Sequence, residues 1–355
     1  MQFSILILGA SYGSLLATKL ILAGHKVRLV CLPVEADLIN REGTRVRMPV
    51  RNREGLVEIA SRALPGRLSA CSPEEADATQ YDLVALAMQE PQYQAPSVRR
   101  LLDQVARAGV PCMSIMNMPP LSFLARIPGL ETAPLRHCYA EPSVWDPFDP
   151  SRFTLASPDP QAFRPPEEGL NVLQVSLPTN FKVAPFGVGP ATDVLRHLQR
   201  DIDAVRYQLD GADTELPVKL KVHDSIFVPL AKWSMLLAGN YRCVQPDGPR
   251  SIAEAVHSNI EQSRQVYEWV GAVCRKIGAS SADLVPFEKY AAAAKGLAKP
   301  SSAARALFAG ARNIERVDLL VQGIARQHGM ECDELNEIVG LVNTRLEVNR
   351  RVAAQ

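Results

Sequence analysis

The chain has 355 residues, of which 47% are apolar and 22% charged, and its formal net charge is +1. That length exceeds one ordinary core and points to two domains. The even mixture of signs excludes a nucleic-acid face or an acidic partner, and no apolar run is long enough to span a bilayer. Seven scattered cysteines without a Cys-x-x-Cys pair predict reduced thiols. No basic leader or small-residue cleavage site follows Met1, so the expected location is the cytoplasm.

The first element is "FSILIL" (3–8), a continuous apolar run suited to a strand buried on both faces of a parallel sheet. A turn follows. Leu15, Leu16, Leu20 and Ala23 then recur at helical spacing, and Gly24 closes that helix before the strand "HKVRLVCL" (25–32). This is a βαβ unit. The basic cluster from Arg45 to Arg53 reads as a solvated loop. Further strands fit 81–88, 110–117 and 171–177, and helices fit 91–108 and 189–207. The alternation predicts an α/β fold, a Rossmann-type doubly wound sheet over residues 1–218. Residues 142–178 carry eight prolines and read as a loop-rich surface insertion with strand pieces such as "RFTLA" (152–156). From residue 219 to 355 the texture changes to helix formers, with segments near 223–242, 250–277, 283–297, 301–328 and 331–351. This predicts an all-helical second domain carrying the substrate site and any homodimer contact.

The turn "GASYG" (9–13) sits where a dinucleotide's pyrophosphate would lie. Such turns use one glycine to bend, a second to let the phosphates approach, and a third for close helix–strand packing. Gly9 suits the first role. Gly13 suits the third better than Ser14, because it leaves the usual helix length before "GHKV". The second place is Ala10 or Ser11, and Ser11 could offer its hydroxyl to a phosphate. Free N–H groups at the helix start, including that of Tyr12, favour an anion. Beyond the second strand, Glu35 or Asp37 could take a ribose hydroxyl (NAD), and Arg41 or Arg45 could take a 2′-phosphate (NADP).

In the helical half, "VPLAKWSMLLAGN" (228–240) spaces Lys232, Leu236 and Asn240 four residues apart, on one face of a helix. "KPSSAARAL" (299–307) reads as a proline followed by a serine N-cap. These pieces, together with the "GAS..G.LLA..L..AGHKV.L" opening, "MSIMN" and "GIARQHGM", resemble the ketopantoate reductase (2-dehydropantoate 2-reductase) family in order and spacing. The resemblance implies an N-terminal Rossmann domain, a helical C-terminal domain, and reduction of a 2-oxo acid by NADPH, a step of pantothenate biosynthesis. It further implies that Lys232 donates the proton to the forming alkoxide. Asn240 and Ser301 would bind the substrate, and Asn117 would lie near the nicotinamide. The family's usual second glycine is missing here. Its basic residue after the second strand falls on Leu32, and its cofactor-binding lysine falls on Gln89. A second asparagine falls on Leu236, and the glutamate that assists the lysine falls on Asn313, with Glu315 two residues on.

Two other readings stand beside this one. An opine-dehydrogenase-like enzyme would need a catalytic histidine, for which His223 and His257 are the candidates. A non-catalytic dinucleotide-binding homologue would fit the missing phosphate-binding residues. His137-Cys138 has no further ligands at metal spacing, and Asp201 and Asp203 read as a solvated helix face.

Overall fold

Ile5, Leu6, Ile7 and Leu8 are all fully buried, because β1 (Ser4–Leu8) runs mid-sheet with a parallel neighbour on each side. The computed structural model describes residues 1–353. In chain order the first half continues with α1 (Ala10–Leu22), β2 (Lys26–Val30), α2 (Pro33–Glu42), β3 (Arg45–Pro49), β4 (Leu56–Ala60), β5 (Arg67–Cys71), β6 (Leu83–Leu86), α3 (Pro96–Ala108) and β7 (Cys112–Ile115). It then adds β8 (Phe153–Ser157), β9 (Gln161–Phe163), β10 (Val172–Leu177), β11 (Phe181–Val183), the helix Gly189–Ala204, β12 (Tyr207–Leu209), β13 (Ala212–Thr214) and β14 (Leu220–Val222).

The main sheet has eight strands in the order β14-β11-β8-β7-β6-β1-β2-β5. All of its ladders are parallel except β11 against β8. The run β5-β2-β1-β6-β7-β8 has the strand order of the doubly wound dinucleotide-binding fold, as the alternation predicts. β6, β7 and β8 are buried along their whole length, as central strands of a parallel sheet are.

A second sheet of four strands, β4-β3-β10-β9, was not legible as a unit. Arg45 to Arg53 is not a solvated loop: it opens with β3, whose Val46 and Met48 are fully buried. Arg45, Val46, Arg47 and Met48 alternate with a period of two, and that was the missed strand signal. Arg47 faces outward and pairs with Glu58 (2.7 Å) and Glu168 (2.6 Å). Residues 142–178 are not a surface excursion either. They supply β8 to the main sheet and β9 and β10 to the second, and none of their prolines lies in a strand.

The second sheet accounts for the composition of α1, which packs against β3, β9 and β10 as well as β1. Covered on both sides, α1 is buried nearly all round, including Ser14, Thr18 and Lys19. Lys19 is 2% exposed and its Nζ donates to the Leu216 carbonyl at 3.0 Å. Burial, reinforced by Lys219, lowers its pKa from 10.5 to about 7. The folded state therefore binds fewer protons than the unfolded one between pH 7 and 10.5, and this contribution to stability falls as pH drops through that window. We expect Lys19→Met to stabilise the protein at pH 7 by roughly 1–3 kcal/mol, as when buried charges are replaced by apolar groups of similar volume. The gain should shrink towards pH 10. Denaturant unfolding at several pH values checks this; a loss of stability equal at both ends would contradict it.

Asp201 and Asp203 do not sit on a bare solvated face. Asp203 pairs with Lys221 (2.9 Å) and Lys219 (3.4 Å), and Asp201 lies 3.3 Å from the buried His25 ring.

By contacts the chain divides into two units. One comprises Met1–Met88, Gln92–Phe123 and Ser143–Ile226, the other Gln89–Pro91, Leu124–Pro142 and Phe227–Gln355. The second is helical, with helices Ile252–His257, Ile260–Lys276, Phe287–Ala294, Ser302–Phe308, Val317–Gln327 and Asp333–Val352. Two long expected helices are each broken in two. The first breaks at Asn259, whose side chain caps the new helix by accepting from Gln262. The second breaks after Phe308, where Gly310 takes a φ of +91°. Among the described residues no helix is long and apolar enough to cross a membrane.

Candidate functional site

In the first unit, strand order reverses at β1: the chain goes first to β2 on one side and later to β6 on the other. Open α/β sheets bind ligands at such switch points, beyond the carboxyl ends of the strands. The turn 9–13 lies there. Gly9 N–H donates to the Val30 carbonyl at the end of β2 (2.9 Å), and Ala87 N–H donates to the Leu8 carbonyl (2.8 Å). Gly9 has a φ of +102°, and a Cβ there would stand 2.8 Å from the Ala87 carbonyl oxygen and 2.6 Å from Met88 Cγ. Only glycine fits. α1 begins at once with Ala10, and Gly13 N–H is the first to find a helical acceptor, the Gly9 carbonyl (3.2 Å). The helix geometry thus leaves the N–H groups of Ala10, Ser11 and Tyr12 as its unpaired first turn.

Gly13 takes the packing role assigned to it in the sequence. A Cβ at 13 would meet Ile7 Cγ2 at 2.7 Å, so its absence lets α1 lie on β1. Ser14, the rejected alternative, is buried, with its hydroxyl donating back to the Ala10 carbonyl. The Tyr12 hydroxyl donates to the Pro160 carbonyl (2.7 Å), and its ring meets Phe181 edge-on. Burial, with Asp159 nearby, holds its pKa well above the ordinary value. Tyr12 therefore has its backbone, not its phenol, to offer a ligand. Three N–H groups at a helix start, on a turn that Gly9 lets pass close to the Ala87 carbonyl, fit a pyrophosphate. Asn117 follows β7 as a half-buried residue between buried Met116 and Met118, whereas Gln89 is exposed and groups with the helical unit.

The end of β2 departs from the expectation. Leu32 and Val34 are exposed, and Arg41 pairs with its neighbour Glu42 (2.9 Å). Arg45 belongs to β3. Glu35 is buried and ion-paired to Arg164, which arrives from 129 residues away. No sequence signal near β2 announces that arginine.

In the helical unit the segment 228–243 is not one α-helix. A 3₁₀ turn (Val228–Ala231) leads to an α turn (Lys232–Met235), a π turn (Leu236–Asn240) and a second 3₁₀ turn (Tyr241–Cys243). Tyr241 N–H reaches the Leu236 carbonyl, five residues back. Single π turns of this kind concentrate at functional sites. Here the Tyr290 hydroxyl donates to the Met235 carbonyl at 3.0 Å, and any Cβ at Gly239 would collide with that hydroxyl.

From Pro229 to Val244 all residues are buried except Lys232, Met235 and Asn240, which are half-buried. Lys232 and Asn240, placed on one face in the sequence, thus both keep partial exposure. Between them Met235 is half-buried and Leu236 buried. Ser301 joins this patch and is the N-cap that its sequence context predicts, accepting from Ala304 N–H (3.1 Å). Its hydroxyl donates to the Asn240 carbonyl at 2.7 Å. That proton is committed, so Ser301 fixes the end of the Lys232 segment.

Asn313, onto which the family's glutamate falls, is exposed and accepts from Arg350 Nη2 (3.1 Å). The buried carboxyl of this loop is Glu315, whose backbone carbonyl accepts the Tyr241 hydroxyl. The Glu315 carboxylate accepts from Glu90 N–H (3.4 Å). Glu90, which sequence reading missed, is itself buried. Burial outweighs the Ala140 N–H it accepts and, with Glu315 adjacent, raises its pKa to about 7. Two carboxyls in one loop cluster had no motif to announce them. His257 Nε2 is bonded to the Ala291 carbonyl (2.9 Å), as befits a structural histidine. Among the described residues no group of His, Cys, Asp and Glu could hold a metal ion.

The sequence matches no family model and no curated protein. Solved structures do match over nearly the whole length. One is the 2-dehydropantoate 2-reductase of Methylococcus capsulatus, at 14% identity and a TM-score of 0.63, covering 98% of this chain and 97% of that one. This chain has the ketopantoate reductase fold. The dimeric ketopantoate reductase of Staphylococcus aureus matches at 12% identity and a TM-score of 0.62, covering 98% and 99% of the two chains. D-mandelate dehydrogenase, solved with NADH and anilino(oxo)acetate, shares the same fold at 14% identity and a TM-score of 0.62, with coverage of 98% and 99%.

Proposed function

We propose that this chain is a nicotinamide-dinucleotide-dependent reductase of a 2-oxo acid or related carbonyl compound. The observation that carries this reading is the Gly9 cradle. At a switch point, a turn that admits only glycine at position 9 presents the N–H groups of Ala10, Ser11 and Tyr12. The fold shared with reductases and a dehydrogenase supports it.

The residues at 9–13 would hold the pyrophosphate, with Asn117 and Gln89 as further cofactor contacts. The bound dinucleotide, NADP(H) or NAD(H), supplies a hydride to the carbonyl carbon. Lys232 lends a positive charge to the carbonyl oxygen and then gives that oxygen its proton, leaving a neutral amine that water reprotonates. Asn240 orients the substrate through its carboxamide, and Ser301 fixes the backbone that carries it. The product is a 2-hydroxy acid. A cytoplasmic homodimer is the proposed form, in keeping with the dimeric reductase of the same fold.

The test is consumption of NADPH or NADH, followed by absorbance, with a series of aliphatic and aromatic 2-oxo acids. A true substrate should show kcat/KM of about 10⁴ M⁻¹s⁻¹ or more. Cofactor binding without turnover on any carbonyl would instead mark a non-catalytic dinucleotide-binding protein.

A further inference from the structure

We infer that Arg164, carried to the end of β2 by β9 and held there by Glu35, is the residue that recognises the 2′-phosphate of an NADP-type cofactor. This rests on the dinucleotide reading of the 9–13 turn and adds the determinant of which dinucleotide is bound.

In this fold the adenosine ribose lies beyond the end of the second strand. An acid there takes its hydroxyls, and an arginine takes a 2′-phosphate. The Gly9 N–H bond to Val30 ties the turn directly to that strand end. The four residues that follow, Cys31, Leu32, Pro33 and Val34, offer no charge. Of the other local polar groups, Asp37 is exposed on α2, while Asn40 and Arg41 are engaged elsewhere. Asn40 exchanges hydrogen bonds with the Ala70 backbone (2.9 and 2.8 Å), and Arg41 is turned to Glu42. Besides Asp37 and Arg41, the charge near this strand end is the Glu35–Arg164 pair, with the Arg164 guanidinium also close enough to the Cys31 thiol to act on it electrostatically.

The two partners are not equally available. The Glu35 side chain is 8% exposed and the Arg164 side chain 24%. The Arg164 guanidinium is thus the more accessible of the two partners. Glu35 engages Nη2 and holds the group in place, since a buried carboxylate is tolerated only with its partner present. A guanidinium has five donors, and those left over suit bidentate binding of a phosphate. The nearby Glu35 charge moderates the attraction, so the expected selectivity is about 10–100-fold rather than larger.

Dissociation constants for NADPH and NADH, and for adenosine 2′,5′-bisphosphate and 5′-AMP, measured by calorimetry, test this directly. Wild type should bind each 2′-phosphorylated ligand about 10–100-fold more tightly than its counterpart. Arg164→Gln should abolish that preference and leave NADH binding unchanged. Because Arg164→Gln strands a buried carboxylate, the Glu35→Gln/Arg164→Gln double variant guards against misfolding and should behave the same way. Arg41→Ala, which alters the arginine facing Glu42, should keep the preference. Equal binding of NADPH and NADH by wild type, or a preference that survives in the double variant, would overturn the role of Arg164 while leaving the cradle intact. Binding of neither dinucleotide would overturn the cradle reading, and this inference with it.

Discussion

Replacing Lys232 by alanine should lower turnover by about 10²–10⁴, the usual worth of a positioned acid–base group, with dinucleotide affinity near wild type. Lys232 is one of only three residues not buried between Pro229 and Val244. The residues proposed to hold the pyrophosphate are in the other unit, so removing this amine should leave binding intact. Lys232→Arg separates charge from proton transfer, because a guanidinium keeps the charge but does not give up its proton. Both variants should therefore be slow, with kcat reduced far more than KM is raised. Full turnover of Lys232→Ala on a confirmed substrate would remove the lysine from the mechanism.

Gly9→Ala should cost roughly 2–4 kcal/mol of stability and weaken dinucleotide binding at least tenfold. Two effects combine. A φ of +102° is strained for any residue with a Cβ, and that Cβ would stand 2.8 Å from a backbone carbonyl that cannot move without disturbing β6. Gly24 provides the internal comparison: its φ is +85°, but nothing lies within 4 Å of its Cβ position. Gly24→Ala should then show the backbone strain alone, about 1 kcal/mol, with binding unchanged. Thermal unfolding and a cofactor titration on the two variants distinguish steric closure of the cradle from a general intolerance of alanine at glycine positions. Equal losses in both would show that the close approach at Gly9 has no special role.

Much of the first unit could be read from local pattern. The strand at 4–8, the turn and the helix at 10–22 follow from an apolar run, two glycines and 3.6-residue spacing. The Ser301 cap followed from its neighbours. What escaped was non-local or masked by composition. The strand at 45–49 hid its alternation behind arginines, and while "RFTLA" was legible as a strand piece, its place in the main sheet among the prolines of 142–178 was not. Arg164 reaches Glu35 only because β9 and β10 fold back across α1, a path no short window reveals. The π turn after Lys232 depends on Tyr290, 55 residues on, taking the Met235 carbonyl. Glu90 and Glu315 are far apart in sequence, so their meeting in one loop cluster has no motif.

Hydrogen–deuterium exchange across residues 8–17, with and without saturating NADPH, tests the central claim most directly. If the cradle binds the pyrophosphate, the amides of Ala10, Ser11 and Tyr12 should exchange more slowly in the complex, because they gain phosphate acceptors that the helix geometry does not provide. Saturated cofactor binding with exchange at these three amides unchanged, and protection appearing elsewhere, would contradict the account.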